Sequence, residues 1–156
     1  MVKTGKMSRY YNCFEDSRMK DKVSGVVQTQ ITAIERGEMR KHEMQDNGTS
    51  FIDAGFHVLE FVENKVTSCR LEFDDSSLMM RRQNADYTHE FTFYRDISVT
   101  GFLKYSFGEI EASGKTHNYG FEINEDGEVT IDLAYELDIQ GEVTRYEVKF
   151  EFTPKR

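Results

Sequence analysis

Tryptophan is absent from this sequence, proline is nearly so, and no long apolar run occurs in it. The one proline, Pro154, stands close to the C-terminus, while Phe and Tyr supply an aromatic content of 13%. That excludes the composition of a linker or a disordered, low-complexity chain and leaves a globular one. No stretch approaches the length of a bilayer-spanning helix. The opening MVKTGKMSRYYNCFEDSRMKDK is polar and contains no secretory apolar core before Cys13.

Cysteine is scarce as well, with only Cys13 and Cys69. One disulfide between them is conceivable, but without a secretion signal the expectation is free thiols and a cytoplasmic location. Asn47-Gly48-Thr49 matches a glycosylation sequon that such a chain cannot use, and Asn-Gly is read instead as a two-residue hairpin turn. Basic residues are outnumbered, 20 Lys and Arg against 28 Asp and Glu, for a net charge of −8. This opposes binding to nucleic acid or to an anionic membrane, both of which require a basic face. Lys20-Asp21-Lys22 and Arg81-Arg82 are read as solvated surface.

No metal or cofactor is expected. Cys69 has no second cysteine nearby, and the four histidines, His42, His57, His89 and His117, lack ligand-pair spacing. Glu122, Asn124, Asp126 and Gly127 fall in calcium-loop register, but Leu133 stands where a bidentate glutamate belongs, which leaves a hairpin turn. In SFGEIEASGKTHNYGF, Gly-Lys-Thr follows another glycine, yet five residues separate Gly108 from Gly114, one more than a phosphate loop has. Glu109 and Glu111 would repel a polyphosphate, and the following residues are poor helix formers. Ser113-Gly114 is therefore read as a hairpin turn.

What the sequence does contain is alternation. In GEVTIDLAYELD, Val129, Ile131, Leu133, Tyr135 and Leu137 alternate with mostly acidic neighbours, as a half-buried strand requires. RYEVKFEF repeats this with Tyr146, Val148, Phe150 and Phe152. Similar runs are read over 23–34, 51–62, 66–73, 77–82, 87–94, 97–111 and 115–124, with short turn-rich separators that imply antiparallel neighbours. Nine or ten strands exceed what a flat twisted sheet holds comfortably, so closure into a barrel is expected. The chain of 156 residues suits one barrel domain over 23–154. A polar N-terminal arm over 1–22 would be a short helix, an added strand or a disordered extension. The apolar series Leu103, Tyr105, Phe107 resumes at Ile110 and Ala112 on the other parity, and a β-bulge at Gly108-Glu109 would restore it.

LMMRR at Leu78 to Arg82, LKYSFGEIE at Leu103 to Glu111 and GEVTIDLAYELDI from Gly127 resemble the YwiB-like family of small bacterial proteins of unknown function. The similarity spans Val23 to Phe152 and departs in the N-terminus and in DYTH before Glu90. The resemblance implies an all-β, antiparallel up-and-down barrel of the calycin, lipocalin-like type with eight to ten strands, and no catalytic residues.

No nucleophile elbow occurs, and paired carboxylates such as Glu109 with Glu111 or Asp132 with Glu136 fall on faces read as solvated. The chain is therefore read as a non-enzymatic binder of a small apolar or amphipathic ligand inside the barrel. Tyr105, Phe107, Leu133 and Tyr135 are the expected inward lining. Arg81, were it to point inward, would anchor a carboxylate or phosphate head group; otherwise it pairs with surface acids. The alternative is an interaction module whose filled barrel binds a partner, or its own copy as a homodimer, through the outer face.

Overall fold

The computed structural model describes residues 21–95 and 97–155. The arm expected over 1–22 lies, apart from Asp21 and Lys22, outside the described residues. Ten strands follow one another: β1 Val23–Glu35, β2 Glu38–Asp53, β3 Phe56–Glu63, β4 Thr67–Phe73, β5 Ser77–Gln83, β6 Tyr87–Tyr94, β7 Val99–Tyr105, β8 Gly108–Ile123, β9 Val129–Ile139 and β10 Glu142–Pro154. Each pairs antiparallel with its sequence neighbours, and β1 also pairs with β10, from Gly25↔Pro154 to Ile34↔Arg145, closing the barrel. Closure leaves no open sheet edge along the paired lengths, as the alternation predicts.

Hairpin turns set the registers. Arg36-Gly37, Ala54-Gly55 and Gln140-Gly141 each have both residues at positive φ, the geometry whose twist matches that of the flanking strands. Asn124 organises the β8–β9 turn through its side-chain oxygen, which accepts from the N–H groups of Asp126 (3.0 Å) and Glu128 (2.9 Å). The turn expected there is present.

Four local expectations are corrected. Ser113-Gly114 is no turn but lies inside β8, where Gly114 pairs with both Val99 and Leu137. The reversal comes earlier, at Ser106-Phe107, between the paired Tyr105 and Gly108. That reversal explains the parity change seen in the sequence: a two-residue turn sets Leu103 opposite Ile110 without any bulge at Gly108. The irregularity of β8 is instead at His117, where the register with β9 shifts between Thr116 and Asn118. Inward residues there switch from Ala112 and Thr116 to Tyr119. Asn47-Gly48 likewise lies within β2, and the strand read over 51–62 is split by Ala54-Gly55.

The interior is dominated by large apolar side chains. Leu59, Leu71, Phe73, Leu78, Phe93 and Phe150 are fully buried. Ring contacts knit them together, among them Phe73 edge-on to Phe121 at 5.1 Å and Phe93 against Tyr135 at 4.4 Å. At the end carrying the β2–β3, β4–β5, β6–β7 and β8–β9 turns, the Tyr119 hydroxyl donates to the Asp74 carbonyl (2.5 Å). On the outer surface the Arg70 guanidinium donates to Asp53 (3.1 Å), Glu72 (2.7 Å) and Glu60. Among the described residues no helix is long and apolar enough to cross a membrane.

Candidate functional site at the polar end of the barrel

Towards the end that carries the β1–β2, β3–β4, β5–β6, β7–β8 and β9–β10 turns, the inward rows of β3 and β5 turn from apolar to charged, while those of β7 to β9 stay apolar through Leu103, Ile110, Leu137 and Ile139. On β5, Leu78 and Met80 are followed on the same face by Arg82; on β3, Leu59 and Phe61 are followed by Glu63. The alternation that buries the apolar members therefore carries the charged pair inside as well. Arg82 Nε donates to Glu63 Oε1 (2.9 Å) and Nη2 to Oε2 (3.3 Å), and Glu63 is only 5% exposed. Among the described residues Nη1 meets only the Met80 sulfur (3.3 Å), a weak acceptor.

Neutral groups surround this pair. The Cys69 thiol, a free cysteine beside Arg82 in the β4–β5 register, is pushed by burial up to about 12, with Arg82 pulling the other way. It is a protonated thiol at neutral pH and not a nucleophile. His89 faces Arg82 from β6, stacks on Tyr87 at 4.1 Å and shares a 3.1 Å hydrogen bond with the Tyr105 hydroxyl. Burial, and then the Arg82 charge, lower its pKa and favour the neutral ring. Tyr135 is shifted up by burial, and its ring stacks on Tyr146 at 5.1 Å. Burial alone would lower the pKa of Arg82, but the charge and hydrogen bonds of the Glu63 carboxylate oppose it, and Arg82 stays charged. Asn84 Nδ2 donates to Thr67 Oγ1 (3.0 Å).

Two further inward oxygens lack a hydrogen-bond partner among the described residues. Thr29 on β1 is fully buried, and its Oγ1 has no hydrogen-bond partner. Asp46 on β2 pairs with Val27 and is thus the diagonal same-face neighbour of Thr29, which pairs with Met44. Asp46 Oδ1 accepts from the Asn64 N–H (3.3 Å), while its buried Oδ2 accepts from none of the described residues. The β2–β3 pairing ends at Gly48↔Phe61, and the Asn64 contact ties Asp46 to the β3–β4 turn next to Glu63. The arrangement can recognise hydrogen-bonding groups, and its one bidentate cation is already engaged.

The sequence-predicted lining is only partly gathered here. Leu133 and Tyr135 are buried, and Tyr105 is half-buried with its hydroxyl on His89. Phe107 is 77% exposed. It does not point inward, because it is the second residue of the β7–β8 turn, where its ring stacks on Tyr105 at 5.0 Å. Arg81 points outward and pairs with Glu90 at 2.6 Å, since Arg82 takes the inward parity. The residues missed are Arg82, Glu63, Asp46 and Thr29. For Arg82 a signal existed: Leu78 and Met80 lie at even positions with it, although Met79 shares the odd face with Arg81. An outer groove of about 620 Å³, lined in part by Glu60, Arg70, Arg81 and Lys155, holds two arginines already paired with carboxylates.

The fold and this site define a closed ten-stranded antiparallel barrel, solid with rings along most of its bore and polar at one end. The chain belongs to the family described as Domain of unknown function (DUF1934), which matches residues 26–149. It is similar in fold to the ywiB protein from Bacillus subtilis, known from a crystal structure, with a TM-score of 0.74 and 17% identity over 90% of this chain and 99% of that one. No curated protein matches it.

Proposed function

We propose that the protein binds, without transforming it, a small and partly apolar molecule at the polar end of the barrel. The observation that carries this reading is a set of inward polar groups at the end of an otherwise apolar bore, with Thr29 Oγ1 and Asp46 Oδ2 left unpartnered. Buried polar atoms are ordinarily satisfied, and an orphan pair is where a ligand's hydrogen bonds would go. Half-buried Tyr87, His89, Tyr105 and Tyr146 give that end a route to solvent, in contrast to the fully buried Phe73 and Phe150. A protonated Cys69 and a neutral His89 beside a closed Arg82–Glu63 pair favour recognition over catalysis. The buried free thiol is in keeping with a cytoplasmic location.

Native mass spectrometry of protein taken from cells tests the reading. The expected result is a bound small molecule that is absent from a variant carrying Glu63→Leu and Arg82→Met, and repeated recovery of the bare chain would overturn it. A second reading, a filled barrel that docks a partner or its own copy, draws on β2. From Glu38 to Asn47 that strand pairs with β1 but not with β3. Sedimentation analysis separates the two, since self-association through that edge requires a dimer that Lys41→Pro abolishes.

A further inference from the structure

The arrangement at the polar end carries information about the ligand's charge. Arg82 is neutralised by Glu63, which occupies its Nε and Nη2 in a two-point contact. His89 and Cys69 add no charge. Asp46 remains, an acid with no ion-pair partner among the described residues, and the fully buried Thr29 beside it presents an oxygen with no donor to meet. Asp46 Oδ2 can only accept, the Thr29 hydroxyl can accept or donate, and the residual charge is negative. A carboxylate or phosphate head, the ligand that an inward arginine first suggests, would meet Asp46 with like charge and find Arg82 already engaged. An ammonium head has the opposite character: three donors, no acceptor, and a positive charge that Asp46 lacks.

Resting on the reading of this end as a ligand site, we propose that the ligand is a primary amine in its ammonium form on a short apolar or aromatic body. The ammonium donates to Asp46 Oδ2, to Thr29 Oγ1 and to a remaining lone pair of the carboxylate of Glu63, whose chain neighbour Asn64 already donates its N–H to Asp46. Its body lies against Phe61 and Phe150, whose ring centroids are 6.2 Å apart. They stand beside these groups, because Phe61 pairs with Gly48 and Phe150 with Thr29. Arg82 positions Glu63 and does not touch the ligand.

The test titrates the full chain at neutral pH with three probes of one shape, benzylamine, benzyl alcohol and benzoate, followed by calorimetry and by two-dimensional amide NMR. Benzylamine is expected to bind at least about tenfold more tightly than benzyl alcohol, in line with a charge-assisted contact. Benzoate is expected not to bind, and the largest benzylamine shifts are expected at Thr29, Asp46 and Asn64. Asp46→Asn is expected to bring benzylamine down to the level of the alcohol while the amide spectrum stays folded. Should Asp46→Asn not fold, the ranking of the three probes on the unaltered chain decides by itself. Binding of the alcohol or benzoate at this end as tight as that of the amine overturns the ammonium assignment and leaves the ligand site standing. Failure of all three to shift this end overturns both.

Discussion

The Glu63 carboxylate sits in the barrel wall with its two oxygens on one guanidinium. Both ions have been taken out of water, so their attraction offsets a desolvation cost and does not simply add stability. Removing one partner is therefore expected to be worse than removing both. Glu63→Ala should cost about 3–5 kcal/mol in urea unfolding by leaving Arg82 charged and alone, whereas Glu63→Leu with Arg82→Met should recover most of that. Equal losses in the single and double variants would mean that the pair's packing, not its charge, matters. The histidines supply a pH dependence of definite sign. Burial lowers the pKa of His89, and of His57, where Asp75 and Asp74 partly oppose it. The unfolded chain then binds protons more readily than the folded one from pH 6.5 downward, so stability falls as pH drops from there through the lowered values. Replacing both by Gln should flatten that part of the stability–pH curve, and an unchanged slope would refute it. At this scale the sequence was least legible. Arg81 and Arg82 are chemically alike, and only strand parity, ambiguous in LMMRR, decides which one enters the bore.

Strands are where the sequence was most legible and turns where it misled. Val129, Ile131, Leu133, Tyr135 and Leu137, read as one apolar face, are all buried on β9. β1 and β4 to β6 also fall within a residue or two of the expected runs. Glycine was the source of error: Gly48 and Gly114 look like turn residues but serve in mid-strand, where a neighbouring backbone approaches too closely for a side chain. A Cβ on Gly114 would lie 1.8 Å from the Glu136 carbonyl oxygen, while one on Gly120, in the same strand, would meet nothing within 4 Å. Gly114→Ala is expected to destabilise by about 1–3 kcal/mol or more. Gly120→Ala should be neutral or stabilising by up to about 1 kcal/mol through the unfolded state. Thermal unfolding of the two variants compares them directly, and similar melting temperatures would contradict the close-approach account. The polar run Glu38–Asn47 of β2 escaped notice because its large apolar residues, Met39 and Met44, are few and of opposite parity, so no apolar alternation marks it. His117 escaped for a different reason. One inserted residue changes the face of everything after it, and both parities of β8 contain apolar residues.

Closure ties together parts of the chain far apart in sequence, because β1 and β10 complete the ring. Gly25 lies opposite Pro154, the Lys155 N–H donates to the Ser24 carbonyl (2.9 Å), and Arg36 pairs with Glu142 at 2.8 Å. Barrel integrity therefore depends on ring closure and not on the order in which the strands are connected. Joining Lys155 to Lys22 by a short Gly/Ser linker and opening the chain between Gln140 and Gly141 preserves every ladder and breaks only an exposed turn. That permutant is expected to keep the β-rich circular dichroism spectrum and a cooperative melt. Ending the chain at Ile139 removes β10, leaves β1 and β9 each with one unpaired edge, and strips Val27 and Ile131 of Phe152 and Phe150, with which they pair. That chain is expected to aggregate or to melt without cooperativity, since two long unpaired edges then flank an opened apolar core. A soluble, cooperatively folded truncation alongside a misfolded permutant would invert the argument and place the stability of the fold in local hairpins instead of the closed ring.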